Sequence, residues 1–188
     1  MSYKAWPRAR QVQGIGLPVR SKDVEQYRRE FTDFYAAARD ECLRAVLVAA
    51  GDRDLAEDLV AEAFTRAWGA WPKLRQHPAP RAWIVRTALN TRISWWRRSR
   101  RETALDSQDE REATSPHPGL DSSLVAALRR LPVRQREVIA LRLLLDLDMA
   151  TTAQVLGLPA GTVSSHLHRG LARLRSELPS ANDQERIT

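Results

Sequence analysis

The chain has 188 residues and a formal net charge of +7 at pH 7. That length suits one domain or two small ones, and the excess of positive charge favours an anionic partner such as nucleic acid. The single cysteine, Cys42, excludes an intramolecular disulfide and a cysteine-rich zinc site. No apolar run is long enough to span a membrane and the N-terminus lacks a secretory apolar segment, so we expect a cytoplasmic protein.

Residues 1–22 are a basic leader that contains lysine and arginine but no acidic residue. Pro7, Gly14, Gly16 and Pro18 disfavour a continuous helix. We predict a flexible arm, which either contacts DNA or remains a disordered leader.

A predicted helical domain covers residues 23–101. Apolar side chains recur at i, i+3 and i+4 from Phe31 to Ala49, which indicates a first amphipathic helix. Asp52 or Asp54 is suited to cap the next helix, because a carboxylate there accepts hydrogen bonds from free backbone N–H groups.

Two more helices are predicted in this domain. The segment DLAEDLVAEAFTRAW has an apolar face, and the pair Trp71 and Pro72 is predicted to end its helix. After a loop that contains prolines, a third helix is predicted from about Pro80 to Arg101.

The character of the chain changes after this domain. Residues 102–120 are acidic, polar and proline-containing, which is typical of a flexible linker. Helical periodicity returns over residues 121–178, and residues 179–188 are interpreted as a frayed tail. The sequence therefore predicts an all-α protein with two small helical domains, joined by a flexible acidic linker, and a helix-turn-helix in the second domain.

The second predicted helix carries an acidic stripe. Asp54, Asp58 and Glu62 recur every four residues, and Glu57 lies beside them. Such a stripe is most often a solvated helix face, but a compact acidic and apolar strip on a basic protein also suits docking onto another protein. Clustered carboxylates can bind Mg²⁺, yet no second acidic helix is available to complete such a site.

The third predicted helix combines arginine with tryptophan. Between Arg81 and Arg101 there are seven arginines and no acidic residue, with Trp83, Trp95 and Trp96 interleaved. Arginine binds phosphate and tryptophan offers a flat surface for an unpaired base, so the helix favours single-stranded or melting DNA. Trp83 is expected in the core. Either Trp95 or Trp96 must face away from the core, since adjacent helical residues diverge.

The segment from Ala153 to Leu174 fits a helix-turn-helix. Ala153 has a small side chain, which lets the second helix pass close by. Gly157 lies at the turn, where the backbone needs a positive φ. In such motifs the second helix enters the major groove of DNA. The predicted inward face of this helix consists of Val163, Leu167, Gly170, Leu171 and Leu174. The opposite side carries Thr162, Ser165, Arg169 and Arg173, flanked by Ser164 and His168.

No motif indicates catalysis or a bound cofactor. The chain has no phosphate-binding Gly-Lys loop, no nucleophile elbow and no HExxH motif. His166 and His168 lie two residues apart, so their side chains diverge on a helix and are not expected to bind a metal. We therefore expect no enzyme activity, no cofactor and no metal.

Three segments, in this order, resemble a bacterial sigma factor of the extracytoplasmic-function (ECF) class. They are DLAEDLVAEAFTRAW, the helix that ends in NTRISWWRRSRR and, after the linker, LPVRQREVIALRLLLDLDMATTAQVLGLPAGTVSSHLHRGLARLR. The resemblance covers about residues 27–178. It implies that the first domain binds the β′ clamp helices of core RNA polymerase and recognises the promoter −10 element. It also implies that the second domain binds the β flap and reads the −35 element, and that an anti-sigma factor can hold the protein inactive.

By position, the resemblance assigns three sets of residues. Polymerase docking would use Asp54, Glu57, Asp58, Leu59, Glu62 and Phe64. The −10 surface would use Asn90, Trp95, Trp96, Arg97 and Arg98. The −35 surface would use Thr162, Ser164, Ser165, His168 and Arg169.

The chain departs from the family pattern near the helix-turn-helix. Thr151 and Thr152 stand where glutamates are usual, His166 where arginine is common, and Gly170 where alanine is common. A glycine inside a helix costs about 1 kcal/mol relative to alanine. These departures leave the −35 sequence preference open.

Three other functions compete with a promoter-specificity subunit. An operator-binding regulator that acts without polymerase would explain the helix-turn-helix, but neither the acidic stripe nor the arginine–tryptophan helix. A metal-dependent nucleotide hydrolase would use Asp54, Asp58 and Glu62. A nucleic-acid binder without sequence preference would explain only the basic charge.

Overall fold

The computed structural model describes residues 21–102 and 122–178. These residues form seven α-helices and one π-helical turn, and they contain no strand, which confirms the predicted all-α class. The predicted leader (1–22), linker (102–120) and tail (179–188) lie outside the described residues except at two ends, where residues 21, 22 and 102 belong to helices instead.

Three helices make up the N-terminal half and confirm the three predicted there: α1 (Ser21–Ala50), α2 (Arg53–Leu74) and α3 (Pro80–Glu102). Gly51 follows α1 with a φ of 80°, a conformation that favours glycine. Asp52 caps α2, because its Oδ1 accepts a hydrogen bond from the Leu55 N–H at 2.8 Å. Of the two aspartates proposed as caps, Asp52 therefore has this role.

The prediction that Trp71 and Pro72 end the second helix is wrong, because α2 continues to Leu74. Proline has no N–H to donate to the carbonyl four residues earlier, which here belongs to Trp68. The hydroxyl of Tyr27 on α1 donates to that carbonyl at 2.9 Å instead. A side chain of a neighbouring helix thus replaces the missing backbone hydrogen bond, and the helix extends past its proline.

The C-terminal half contains four shorter helices, with a π-helical turn after the second of them. They are α4 (Ser122–Arg130), α5 (Val133–Ile139), the π-helical turn (Ala140–Leu144), α6 (Met149–Leu156) and α7 (Ala160–Glu177). α6 and α7 form the predicted helix-turn-helix, and α7 packs against α5. The C-terminal half therefore has its own helical scaffold behind the motif.

The two halves pack against each other around the C-terminal part of α1. Residues 45–49 of α1 are all buried. A helix buried at five consecutive positions is covered on every side. α1 contacts α2 and α3 as well as α5 and the π-helical turn. One apolar cluster runs from Val46 in the N-terminal half to Leu141 and Leu145 in the C-terminal half. The sequence predicted the two helical units but not this contact.

Aromatic side chains fasten α1 to α2. The rings of Phe34 and Trp71 stack with centroids 4.9 Å apart, and the rings of Phe31 and Trp68 form a T-shaped pair with centroids 5.1 Å apart. On α3, Trp83 is buried in the core, as predicted. Aromatic contacts therefore hold α1 and α2 together.

Replacement of Tyr27 by phenylalanine should destabilise the protein, because it leaves the Trp68 carbonyl without its hydrogen-bond donor. We expect the free energy of unfolding to fall by about 1–3 kcal/mol, measured by urea denaturation. Tyr35→Phe is the matched control, since Tyr35 is exposed and should change stability little. An equal loss in both variants would contradict the role assigned to the Tyr27 hydroxyl.

The same residue gives a pH dependence. Burial raises the pKa of Tyr27 from 10.0 to about 12, so the fold favours the neutral phenol. The contribution of the neutral Tyr27 side chain to stability is therefore complete below pH 10 and is lost as the pH rises through 12. Tyr27→Phe should lack this alkaline loss.

Candidate functional site

The acidic stripe lies on the outer face of α2. Asp54, Glu57 and Asp58 are exposed, and Glu62 is half-buried. Glu57 and Glu62 each form an ion pair with an arginine one turn away on the same helix, at 3.0 and 2.7 Å. Among the side chains that the structure describes, neither Asp54 nor Asp58 has a lysine or arginine partner. Asp54 and Asp58 are thus the carboxylates most open to another protein.

Two residues assigned to polymerase docking lie in the core instead. Leu59 is 0% exposed and Phe64 is 4% exposed, because both belong to the apolar face by which α2 packs on its neighbours. They position the stripe but do not contact a partner in this conformation. Trp68, which was not predicted, is 37% exposed on the same helix. Trp68 follows Phe64 by one helical turn, so its position on this helix was predictable from the sequence. Aromatic side chains are enriched at protein interfaces.

A hydrogen-bond chain links the acidic stripe to α3. Arg66, which pairs with Glu62, also donates from Nη1 to the hydroxyl of Thr91 at 3.1 Å. The Thr91 hydroxyl in turn donates to the Thr87 carbonyl at 2.9 Å. Because Thr91 directly follows Asn90, the docking helix and the start of the predicted −10 surface are held in a fixed relation.

The predicted −10 surface is described only in part. Asn90 is exposed on α3, and Trp95 is half-buried and packs against the apolar core. The side chains of Trp96, Arg97 and Arg98 lie outside the described part of the chain, although the backbone of α3 continues through them. The structure therefore brings Asn90 and Trp95 onto one helix and leaves the other three assignments as predictions.

The turn between α6 and α7 has the predicted glycine geometry. Gly157 ends α6 with a φ of 64°, and the following N–H, of Leu158, donates to the Ala153 carbonyl at 3.0 Å. An added Cβ at Gly157 would meet nothing within 4 Å. Glycine is therefore required by the backbone angle alone.

The start of α6 explains one departure from the family pattern. Asp148 caps this helix, and its Oδ1 accepts a hydrogen bond from the Thr151 N–H at 2.6 Å. Thr152 is fully buried, and its hydroxyl donates to the Asp148 carbonyl at 2.8 Å. A buried position with a local hydrogen bond suits threonine better than the longer, charged glutamate.

The recognition helix α7 has the predicted two faces. Val163, Gly170 and Leu174 are buried, with Leu167 and Leu171 half-buried beside them. Ser164, Ser165, His168 and Arg169 are exposed, and Thr162 is half-buried. Hydroxyl, imidazole and guanidinium groups are thus presented together to the solvent, where they can reach base edges or phosphates.

Gly170 is explained by close helix packing. A Cβ at this position would lie 2.8 Å from Cδ1 of Ile139 and 3.3 Å from Cβ of Gln135, both on α5. The glycine therefore lets α7 approach α5, which offsets its poor helix propensity.

Among residues 21–102 and 122–178, no group of three or more His, Cys, Asp or Glu side chains is arranged to hold a metal ion. His166 is half-buried and His168 is exposed. In the same residues, no helix is both long and apolar enough to cross a membrane.

The fold is that of an all-helical protein with a C-terminal helix-turn-helix. Comparison with known families narrows the class of protein further. Residues 34–102 match the family Sigma-70 region 2, and residues 122–174 match Sigma-70, region 4. The chain is 35% identical to the RNA polymerase sigma-E factor of Streptomyces coelicolor over 153 residues, which is 79% of this chain and 86% of that protein. It is 33% identical to the ECF RNA polymerase sigma factor SigL of Mycobacterium tuberculosis over 150 residues, 72% of this chain and 81% of that protein.

The fold also matches a solved structure. The sigma factor RpoE of Bartonella quintana, in complex with the anti-sigma factor NepR, superposes with a TM-score of 0.72 and 24% identity, over 81% of this chain and 99% of that chain. This likeness confirms the fold. The family matches and the relatives identify the chain as a member of the ECF sigma-factor family.

Replacement of Gly157 by alanine should cost about 1–2 kcal/mol of stability, because its positive φ is strained for a residue with a Cβ. Gly161→Ala is the matched control. Its added Cβ also meets nothing within 4 Å, but its backbone is helical. Urea unfolding should show a loss for Gly157→Ala only, and equal effects would contradict the assigned turn geometry.

Replacement of Asp148 by alanine should remove about 1 kcal/mol of stability at pH 7. The hydrogen bond from the Thr151 N–H lowers the pKa of Asp148 below 3.8, so the contribution of the carboxylate is complete above that pH and is lost as the pH falls through the folded-state value. Asp148→Asn should keep the cap without this acid dependence. Chemical denaturation between pH 3 and 7 checks both variants, and an acid-induced loss of the same size in Asp148→Asn would count against the assignment.

Proposed function

We propose that this chain is a promoter-specificity subunit of bacterial RNA polymerase. It binds the core enzyme, recognises the −35 and −10 promoter elements and promotes opening of the duplex. The observation that carries the proposal is the combination, in family order, of an exposed acidic stripe on α2, the arginine–tryptophan helix α3 and an exposed recognition face on α7. Core polymerase supplies catalysis, so this chain acts in the cytoplasm as a non-catalytic subunit without a cofactor.

The two halves have separate roles in this proposal. Residues 23–101 dock on the β′ clamp helices and bind the −10 element. Residues 121–178 bind the β flap and the −35 element, and residues 102–120 are the linker between them. The contacts with the clamp helices use Asp54, Glu57, Asp58 and Glu62, and the exposed Trp68 extends the same surface.

The −35 element is read by the exposed face of α7. Thr162, Ser164 and Ser165 lie near the N-terminal end of this helix, which is the end that contacts base edges in helix-turn-helix complexes. His168 and Arg169 follow one turn later and are exposed, where a guanidinium binds guanine or phosphate. Phosphate contacts fix the register, and base contacts select the sequence.

The −10 element is captured by α3 as its bases leave the stack. Unstacking costs a few kcal/mol per base, and stacking on an aromatic ring returns about 1–3 kcal/mol per base. Trp95, Trp96, Arg97 and Arg98 supply rings and phosphate-binding groups, and Asn90 supplies a polar side chain one turn earlier. This scheme needs no ATP.

We also propose that an anti-sigma factor binds this chain. The structure of RpoE from Bartonella quintana, similar in fold with a TM-score of 0.72, is a complex with the anti-sigma factor NepR. The chemistry that such a partner would recognise is the same acidic and aromatic surface of α2.

Run-off transcription with purified core RNA polymerase and a library of promoters tests the function. We expect stable binding to the core enzyme and initiation from a subset of promoters that share −35 and −10 sequences. A folded chain that binds duplex operator DNA but not core polymerase would instead establish a free-standing regulator.

Asp58→Ala should weaken binding to core polymerase, because this exposed carboxylate has no partner within the described chain. We expect a loss of about five- to thirtyfold, which corresponds to about 1–2 kcal/mol, with little change in stability. Glu25→Ala, another exposed carboxylate on α1, is the control and should bind normally in the same titration. Similar losses in both variants would point to net charge rather than to a docking site.

Trp96→Ala should impair promoter opening more than formation of the closed complex, because the lost ring stacks only on unpaired bases. Permanganate footprinting on normal and pre-melted promoters measures this difference. Trp96→Phe keeps an aromatic surface and should retain part of the activity. Equal losses of Trp96→Ala on both templates would argue against the stacking role.

A further inference from the structure

The outer face of α2 is acidic on a chain that carries an excess of positive charge. The formal net charge of the whole chain is +7, yet Asp54 and Asp58 are exposed on this face without a basic partner among the described side chains. The exposed Trp68 lies on the same side of the helix. Asp54 and Trp68 mark the two ends of this outer face, about 21 Å apart at about 1.5 Å per residue.

The N-terminal leader carries the complementary groups. Residues 1–20 contain no acidic residue and four basic ones, Lys4, Arg8, Arg10 and Arg20. A guanidinium group pairs with a carboxylate and also stacks on a tryptophan ring. Because the outer face of α2 offers both kinds of group, the leader and this face are complementary in charge and in chemistry.

The leader joins the helical body beside the Trp68 end of this face. α1 begins at Ser21, and less than two turns later the Tyr27 hydroxyl donates to the Trp68 carbonyl at 2.9 Å. From Ser21 the far end of the face lies about 30 Å away by helical rise. A random coil of about 20 residues has a root-mean-square length of about 25 Å and extends to about 66 Å at most. A segment of the leader's length therefore reaches the whole face.

The linker is the other acidic segment that would attract the leader, but it joins the body at the far end of α1. Arg81, near the start of α3, pairs with Glu41 at 3.2 Å, and Arg92 further along α3 donates to the Ala49 carbonyl at 2.9 Å. α3 therefore runs in the same direction as α1 and carries the chain away from Ser21, which is about 42 Å from Ala49 by helical rise. The outer face of α2 begins closer to the leader than the linker does.

We propose that the leader binds the outer face of its own α2, with Arg8 and Arg10 at Asp54 and Asp58. The contact itself is independent of the proposed function. Its consequence rests on that function, because a bound leader covers the surface proposed for core polymerase and must be displaced before docking. Tethering gives the leader an effective concentration on the order of 1 mM, so a contact with a dissociation constant of about 0.1 mM is about nine-tenths occupied.

Paramagnetic relaxation in the full chain tests the contact. A spin label is attached to a cysteine introduced at Ala9, which lies between two of the leader's arginines. Cys42 is buried and does not compete for the label. We expect the label to broaden the amide signals of Asp54 and Asp58. The broadening should weaken at about 1 M salt, because ion pairs at the surface are screened.

Two double variants separate a site from a general attraction. Asp54→Asn with Asp58→Asn should abolish the broadening, because it removes both carboxylates of the contact. Glu25→Gln with Asp33→Asn removes the same charge from exposed positions of α1 and should leave the broadening intact. Equal losses in the two double variants would show attraction to net charge alone and would overturn the proposal.

Arg8→Gln with Arg10→Gln tests the competition by titration of core polymerase. The affinity of this leader variant should rise by about fivefold to tenfold, since only about a tenth of the wild-type molecules have the surface free. Arg28→Gln with Arg29→Gln removes the same charge from exposed positions of α1 and should bind core polymerase as the wild-type chain does. An unchanged affinity in the leader variant, or an equal rise in both, would overturn the competition.

Other sites for the leader would give different results. Broadening of linker signals in place of α2 signals would overturn the proposal. Weaker promoter binding by the leader variant, without broadening on α2, would identify the leader as an arm that contacts DNA phosphates and would also overturn it. A wild-type chain that does not bind core polymerase would overturn the proposed function instead, while the relaxation measurement still decides the contact between the leader and α2.

Discussion

Burial of the C-terminal part of α1 is the constraint on which the described structure depends. Residues 45–49 are all buried, and α1 packs against α2 and α3 of its own half and against α5 and the π-helical turn of the other half. The last carbonyls of a helix have no partner within it, and leaving them unpaired beside this core would be costly. Arg92 and Arg129 meet that need, so the apolar contact between the halves and the polar contact at its edge occur together.

Each functional surface lies on the outer side of a helix whose inner side is fixed by this packing. On α2, Leu59 and Phe64 anchor the helix, while Asp54 and Asp58 face the solvent. α7 repeats the pattern, with Val163 buried and its polar face exposed. Helices therefore display the charged and polar groups, and Arg66 links α2, the proposed docking helix, to Thr91 at the start of the proposed −10 surface.

Local pattern predicted most of the fold, because helical periodicity, caps and turn glycines act over a few residues. The three N-terminal helices, the cap of α2 by Asp52 and the positive φ of Gly157 follow from such signals. Contacts between distant residues were not predictable in this way. The extension of α2 past Pro72 depends on Tyr27, and the contact between α4 and the end of α1 depends on Arg129. For the site, periodicity placed the inner face of α7 correctly. The docking assignment of Leu59 rests on family position alone, and Leu59 is buried in this conformation.

The distance between the two halves, before and after assembly, tests the account most directly. Donor and acceptor dyes on cysteines introduced at the exposed positions Arg28 and Ser176 would report it by energy transfer, since Cys42 is buried and does not compete for label. We predict one short distance in the free chain and an increase of tens of Å on addition of core polymerase and promoter DNA. An unchanged short distance in a transcriptionally active complex would contradict the account.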